Sequence, residues 1–178
     1  DLILITHGHD DHYDPATIKK LSKPGTVIVA PKAFGLQTAI LTPGASGTFA
    51  GFAVEAVPAY NVKKTRFHPK SDGNVGYVVT VSGVRVYQSG DTERIPEMKT
   101  IRADIAFVPL GQVYTMNSVG DAVESVIDTG ARVAAAQVGE LRAGRRKSVE
   151  RIGVVWLMGL MWLVGLERLR RLMGLERF

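Results

Sequence analysis

The sequence predicts an α/β layered sandwich, and three observations carry that expectation. Short apolar, β-branched runs recur along the chain, helix-like stretches alternate with them, and two of the runs meet at Ser82-Gly83, a hairpin signal. At 178 residues the chain is sized for one domain with a real core.

The elements follow in order. Residues 1–5 (Asp-Leu-Ile-Leu-Ile) read as a buried strand that runs out into Thr6-His7-Gly8-His9-Asp10-Asp11-His12. Asp14-Pro15 starts a short helix, with Asp as N-cap and Pro in the first turn, turning Ile18 and Leu21 inward and Lys19, Lys20 and Lys23 outward. Residues 26–30 form a strand, and Pro31 opens a second helix through about Leu41. Residues 42–51 are turn-rich, 52–57 a strand, and 61–75 a polar loop containing His68. Strands over 76–82 and 84–88 make the hairpin, and the second ends in Ser89-Gly90-Asp91-Thr92. There Gly90 lets the backbone turn sharply enough to present a carboxylate from the strand end. A buried strand over 104–109 and a loop over 111–116 lead to a helix capped by Asn117 or Ser118. Its apolar residues Val119, Ala122, Val123, Val126 and Ile127 recur at the spacing of a buried face. Residues 131–138 are the last strand.

Residues 6–12 hold three of the four histidines and two of the nine aspartates. At this composition chance produces H-x-H-x-D-H about once in ten thousand such chains, so the spacing carries meaning. Alternate residues of an extended segment face the same way, which lets His7 and His9 turn toward one ion, with Asp11 continuing the series. His12 is out of phase, reaches the cluster only after the chain bends, and suits a different or second ion. Imidazole and carboxylate are donors that zinc and other first-row metals accept. With no cysteine in the chain, a thiolate site and a disulfide framework are both excluded.

The net charge of +5 is uneven: residues 1–139 carry 13 Lys/Arg against 13 Asp/Glu, and residues 140–178 carry 9 against 4. A neutral body argues against a nucleic-acid-binding face. Residues 152–166 are a 15-residue uncharged run, about 22 Å as a helix and short of the roughly 30 Å hydrocarbon core. A basic amphipathic helix at a membrane surface is the lesser option for this tail, and an idiosyncratic C-terminus with no function the greater. The chain opens inside a strand pattern without a start methionine, so an incomplete N-terminus is expected.

His7-x-His9-x-Asp11-His12 after a buried strand resembles the signature of the metallo-β-lactamase-fold hydrolase superfamily. Phe67-His68-Pro69-Lys70, Gly76-Tyr77-Val78-Val79, Tyr87-Gln88-Ser89-Gly90-Asp91-Thr92 and Ile95-Pro96-Glu97-Met98 resemble its small cytoplasmic branch, similar to ascorbate-6-phosphate lactonase-like proteins. The resemblance implies an αββα sandwich, here without its first strands, over a partial hydrolase domain at 1–147, followed by the tail at 148–178. It implies a first metal held by His7, His9 and His68, a second by Asp11 and His12, and Asp91 bridging the two. One or two divalent ions are expected, zinc first, with iron and manganese as alternatives. They would supply hydroxide from water near neutral pH for attack on an ester, lactone or phosphodiester of a small substrate, and Asp11 would shuttle a proton to the leaving group. Thr92 would orient the Asp91 carboxylate. Tyr114 would line the pocket or simply pack. Lys63, Lys64, Arg66 and Lys70 would capture an anionic substrate or form a solvated loop. Relatives end the last strand with a histidine that completes the second site, and this chain has Gln137 there, a poor zinc ligand. A cytoplasmic hydrolase is the first reading. A single-metal relative without activity and, less favoured, an RNA-processing nuclease are the alternatives.

Overall fold

The computed structural model describes residues 1–138. The tail at 148–178, and the stretch that joins it to the last strand, lie outside the described residues. Two sheets stack face to face. In the smaller, β1 (Leu2–Leu4), β2 (Val27–Ala30) and β3 (Ala39–Ile40) run parallel in that order. The larger has six strands in sequential order, β4 (Ser46–Phe49), β5 (Phe52–Pro58), β6 (Val75–Val81), β7 (Val84–Gln88), β8 (Ile105–Leu110) and β9 (Val133–Val138). It is antiparallel from β4 to β7 and parallel from β7 to β9.

Helix α1 (Pro15–Leu21) links β1 to β2, and α2 (Val119–Thr129) links β8 to β9, as parallel neighbours require. Asp14 caps α1 by accepting from the Ala16 and Thr17 amides, and Ser118 caps α2 by accepting from Asp121. Three apolar layers follow. Ile5, Ile18, Ile28 and Ala30 fill the space between α1 and the small sheet. Leu4, Val29, Val54, Val75, Tyr77 and Val79 fill the space between the sheets. Val78, Tyr87, Met98, Ala106, Val108, Met116 and Ala122 lie beneath α2. Alternation along β6 sends Tyr77 and Val79 to one layer and Val78 to the other. The order α1, sheet, sheet, α2 is the αββα sandwich.

Two local expectations fail. No helix runs from Pro31 to Leu41; the chain bends there and supplies β3. Gln37 Oε1 accepts from the Phe34 and Gly35 amides at 2.8 Å each, and Gly35 sits at φ 97°. Thr38 Oγ1 accepts from Ile28 N at 2.9 Å while Thr38 N donates to Ile28 O at 2.8 Å. Turn chemistry and pairing with β2 outcompete the helix that Pro31 suggests. The second miss is the face of α2. It buries Ala122, Ser125 and Thr129, while Val119, Val123 and Ile127 stand exposed. The buried hydroxyls are satisfied, Ser125 donating to Asp121 O at 2.7 Å and Thr129 to Val126 O at 2.8 Å, so burying them costs little. Rotation is set by Arg94, whose Nε and Nη2 grip Asp128 at 2.6 and 3.1 Å. The turn-rich stretch 42–51 also yields the short edge strand β4.

Candidate metal centre

The end of β1 and the end of β7 reach the same place because β6 begins between them. Thr6 O accepts from Val75 N at 3.1 Å, and Ile5 O from the buried Tyr77 hydroxyl at 2.8 Å. Glycine allows the close approach on both sides. A Cβ on Gly76 would lie 2.6 Å from the Gln88 and Ser89 carbonyl oxygens, and one on Gly90 would lie 2.8 Å from Val75 O. Gly90 also takes φ 62°, turning the chain so that Asp91 enters the site.

After His9 the chain folds back, with the His12 and Tyr13 amides both donating to His9 O at 2.8 Å. That bend brings His12 to the cluster, as its out-of-phase position requires. The other three imidazoles gather around His7. Ring centroids of His9, His12 and His68 lie 4.7, 4.1 and 5.2 Å from it, and His9 and His68 are 4.9 Å apart. Asp91 is buried among them, Oδ1 at 3.4 Å from His12 Nε2 and Oδ2 at 3.5 Å from His68 Nε2. Asp11 is exposed, with Oδ2 at 3.6 Å from His12 Nε2.

Two groups have donor atoms within 4.8 Å of one another, His7 with His9 and His68, and His7 with Asp11 and His12. The residues fit a cation. His7 Nε2, His68 Nδ1 and Asp91 Oδ1 are buried without a hydrogen-bond partner, a costly state that a metal ion would relieve for the His7 nitrogen and the Asp91 oxygen. His7 belongs to both groups but has one nitrogen to give, because Nδ1 lies 3.0 Å from Thr6 Oγ1. The electrostatics agree with a cation-ready pocket. Burial, followed by the neighbouring His12, pushes His7 down to about 2 and keeps it neutral. Burial also lowers His68, against the pull of Asp91. Burial opposes charge on His12 and on Asp91, yet the attraction between these two close groups prevails, raising the histidine and lowering the aspartate.

His68 is delivered by the loop between β5 and β6, at a left-handed φ of 50° unusual for a non-glycine residue. Asn61 holds it there. Its amide donates to His68 O at 2.9 Å, and its Nδ2 donates to Phe67 O and Tyr114 O at 2.8 and 2.7 Å. Tyr114 is half exposed, its ring edge-on to Phe67 at 4.9 Å. Thr92 Oγ1 accepts from Tyr60 N at 3.1 Å and donates to Tyr60 O at 2.8 Å, so it anchors the loop backbone instead of the Asp91 carboxylate. Of the basic residues near His68, Lys70 pairs with Glu97 at 2.9 Å and Lys64 donates to Thr115 O, while the Arg66 guanidinium lies 4.4 Å from the Phe67 ring centre. Gln137 stands in β9 opposite Pro109 of β8. No spacing in the sequence marks Thr6, Asn61 or the buried carboxylate of Glu93.

Over 137 residues the chain is 34% identical to a UPF0173 metal-dependent hydrolase of Thermoplasma acidophilum, covering 71% of this chain and 59% of that one. It thus spans about three-fifths of the length of that curated relative. A crystal structure from Parabacteroides distasonis, named by inference a metal-dependent hydrolase, is 39% identical with a TM-score of 0.70. That match covers 76% of this chain and 64% of the other. The diiron β-hydroxylase CmlA of Streptomyces venezuelae shares the fold alone, with TM-score 0.63 and 14% identity over 76% of this chain and 35% of that one. Residues 1–134 match the family described as the Beta-lactamase superfamily domain, and with that match the chain belongs to the beta-lactamase superfamily.

Proposed function

We propose that this chain carries the metal-binding half of a metal-dependent hydrolase that cleaves an ester, lactone or phosphodiester-type bond in a small substrate. The observation that supports it most is the convergence of His7, His9, His68 and Asp91 with three buried polar atoms left unpartnered. His7, His9 and His68 would hold the first ion and Asp91 would lie against it. Asp11 and His12 would hold a second. Zinc suits the imidazole-rich first group, and iron or manganese suits the same donors. When bound, such an ion lowers the pKa of water toward neutrality and polarises a carbonyl or phosphoryl oxygen.

The chain's own residues do the rest. Asp11, exposed beside His12, would take the proton that the attacking water gives up, on a carboxylate oxygen, and pass it to the leaving group. Tyr114 and Phe67 offer an aromatic wall beside His68, and Arg66, stacked on Phe67, offers a cation for an anionic substrate. Lys70, already paired with Glu97, contributes to the same positive rim. The hydrolase domain extends to about residue 147, with 148–178 as a separate tail. None of the described helices is long and apolar enough to cross a membrane.

A second reading, a single-metal relative without turnover, draws support from one feature. If His7 serves the first ion, only Asp11, His12 and a shared Asp91 remain for the second, and the β9 position carries Gln137. Metal analysis of the purified chain, with a panel of ester, lactone and phosphodiester substrates, separates the two. Two ions with turnover favour the hydrolase, and one ion without turnover favours the impaired relative. Alanine at His7 or His9 that leaves metal content and turnover intact would refute both.

A further inference from the structure

Asp91 and His68 sit on separate segments, 23 positions apart in the chain, yet meet within 3.5 Å. Something must lock the two segments in register. Glu93, two residues after Asp91, is buried at 8% exposure, which an unpartnered carboxylate would not tolerate. Its Oε2 accepts from the backbone amides of Val62 and Lys63 at 2.9 and 2.6 Å, with the Lys64 amide at 3.4 Å. Its Oε1 lies 3.9 Å from Lys64 Nζ, and its own amide donates to Tyr60 O at 3.2 Å. Three successive N–H groups facing one point form a concave anion nest, and Glu93 is its resident anion. The nest opens the loop that Asn61 closes onto Phe67 and His68.

We infer that Glu93 is a positioning residue for the candidate metal centre: by filling the 62–64 amide nest it fixes the His68 loop against the Asp91 strand end. The inference rests on the metal-centre reading above. Neighbouring Arg94 faces the other way, to Asp128 and Glu124 of α2, and so supplies a control in the same segment.

The test is zinc affinity of the full 178-residue chain, measured by competition with a chromophoric chelator, together with the visible spectrum of the cobalt-loaded protein. Outer-shell partners of ligands typically matter about 10–100-fold in metal affinity. Glu93→Ala is expected to weaken zinc about tenfold or more and to alter the cobalt spectrum as the His68 donor loosens. Glu93→Gln, which keeps an acceptor, should return to within about threefold of the wild type, and Arg94→Ala should stay within about twofold. A folded Glu93→Ala with wild-type affinity and spectrum overturns the inference. If that variant does not fold, Glu93→Asp decides: it keeps the charge but is one methylene short of the nest. A loss of about fivefold or more supports the inference and wild-type affinity overturns it. A wild-type chain that takes up no zinc removes the metal-centre reading and this inference together, whereas wild-type uptake with an indifferent Glu93→Ala removes the inference alone.

Discussion

The Thr6 hydroxyl lies 3.0 Å from His7 Nδ1, and the other ring nitrogen, Nε2, is buried without a partner. Such a contact sets which nitrogen of an imidazole is free to bind a metal. Thr6→Val keeps the shape and removes the hydroxyl. It should fold normally and bind zinc about tenfold more weakly, by chelator competition. An unchanged affinity would mean that the hydroxyl does not orient the ring.

His7 has one nitrogen to give, and assigning it to the first ion predicts an asymmetric mutational pattern. His7→Ala should empty the site shared with His9 and His68 and spare the one at Asp11 and His12. Asp11→Ala or His12→Ala should leave the ion held by His9 and His68, and His9→Ala should preferentially empty that first site. Elemental analysis after exhaustive dialysis reads the stoichiometry directly. Loss of both ions from His7→Ala would contradict the pattern.

Gln137 occupies the β9 register opposite Pro109, where family resemblance expects a histidine. Imidazole is a much better zinc donor than a carboxamide. Gln137→His should therefore raise affinity for the second ion, about tenfold or more. Titration calorimetry with zinc checks it. A single binding event in both proteins would refute it.

Gly76 sits where β6 meets the chain leaving β7, and any Cβ there would press on the Gln88 and Ser89 carbonyls. Gly76→Ala should cost about 1–3 kcal/mol by forcing the backbones apart. Because Asp91 follows two residues after Ser89, metal affinity should fall with it. Urea unfolding and metal titration on the same sample test the coupling. A variant as stable as the wild type would show that the strands yield without strain.

Arg94 holds Asp128 below its ordinary value of 3.8, first by hydrogen bonding and then by charge, against the cost of burial. A carboxylate depressed in the folded state adds stability that is complete above its unfolded pKa and disappears as pH falls through the folded one. Asp128→Asn should therefore be less stable than the wild type at neutral pH, and the gap should close as pH drops below about 4. Thermal melts across that range decide it. A gap that stayed constant with pH would assign the effect to packing instead of charge.

Much of the fold and the kernel of the site were legible because they are written locally. The strand into His7-Gly8-His9 has period two, Asp14-Pro15 and Ser118 cap helices within three residues, and Ser82-Gly83 joins β6 to β7. Ser82 and Gly83 both adopt left-handed φ, as a tight hairpin of that type requires. His68 and Asp91 became ligand candidates only through resemblance, since neither lies in a periodic pattern that points to a ligand, although Gly90 alone marks the turn that presents the Asp91 carboxylate. Thr6, Asn61 and Glu93 stayed hidden for a related reason. Glu93 works about thirty residues from its partners and Asn61 reaches Tyr114 at a separation of 53, and no window of the sequence records such contacts. The face of α2 misled because Ser125 and Thr129 satisfy their hydroxyls on the helix itself, which lets polar residues take the buried side.

His68 stands where glycine would rest more comfortably, at φ 50°. A protein that tolerates an imidazole in that posture gives up some resilience in the empty state for a ligand aimed from an angle that relaxed backbone cannot reach. Loading the ion would repay the debt. The unfilled protein should accordingly first loosen at this corner, and the filled one should owe its rigidity to the same bend.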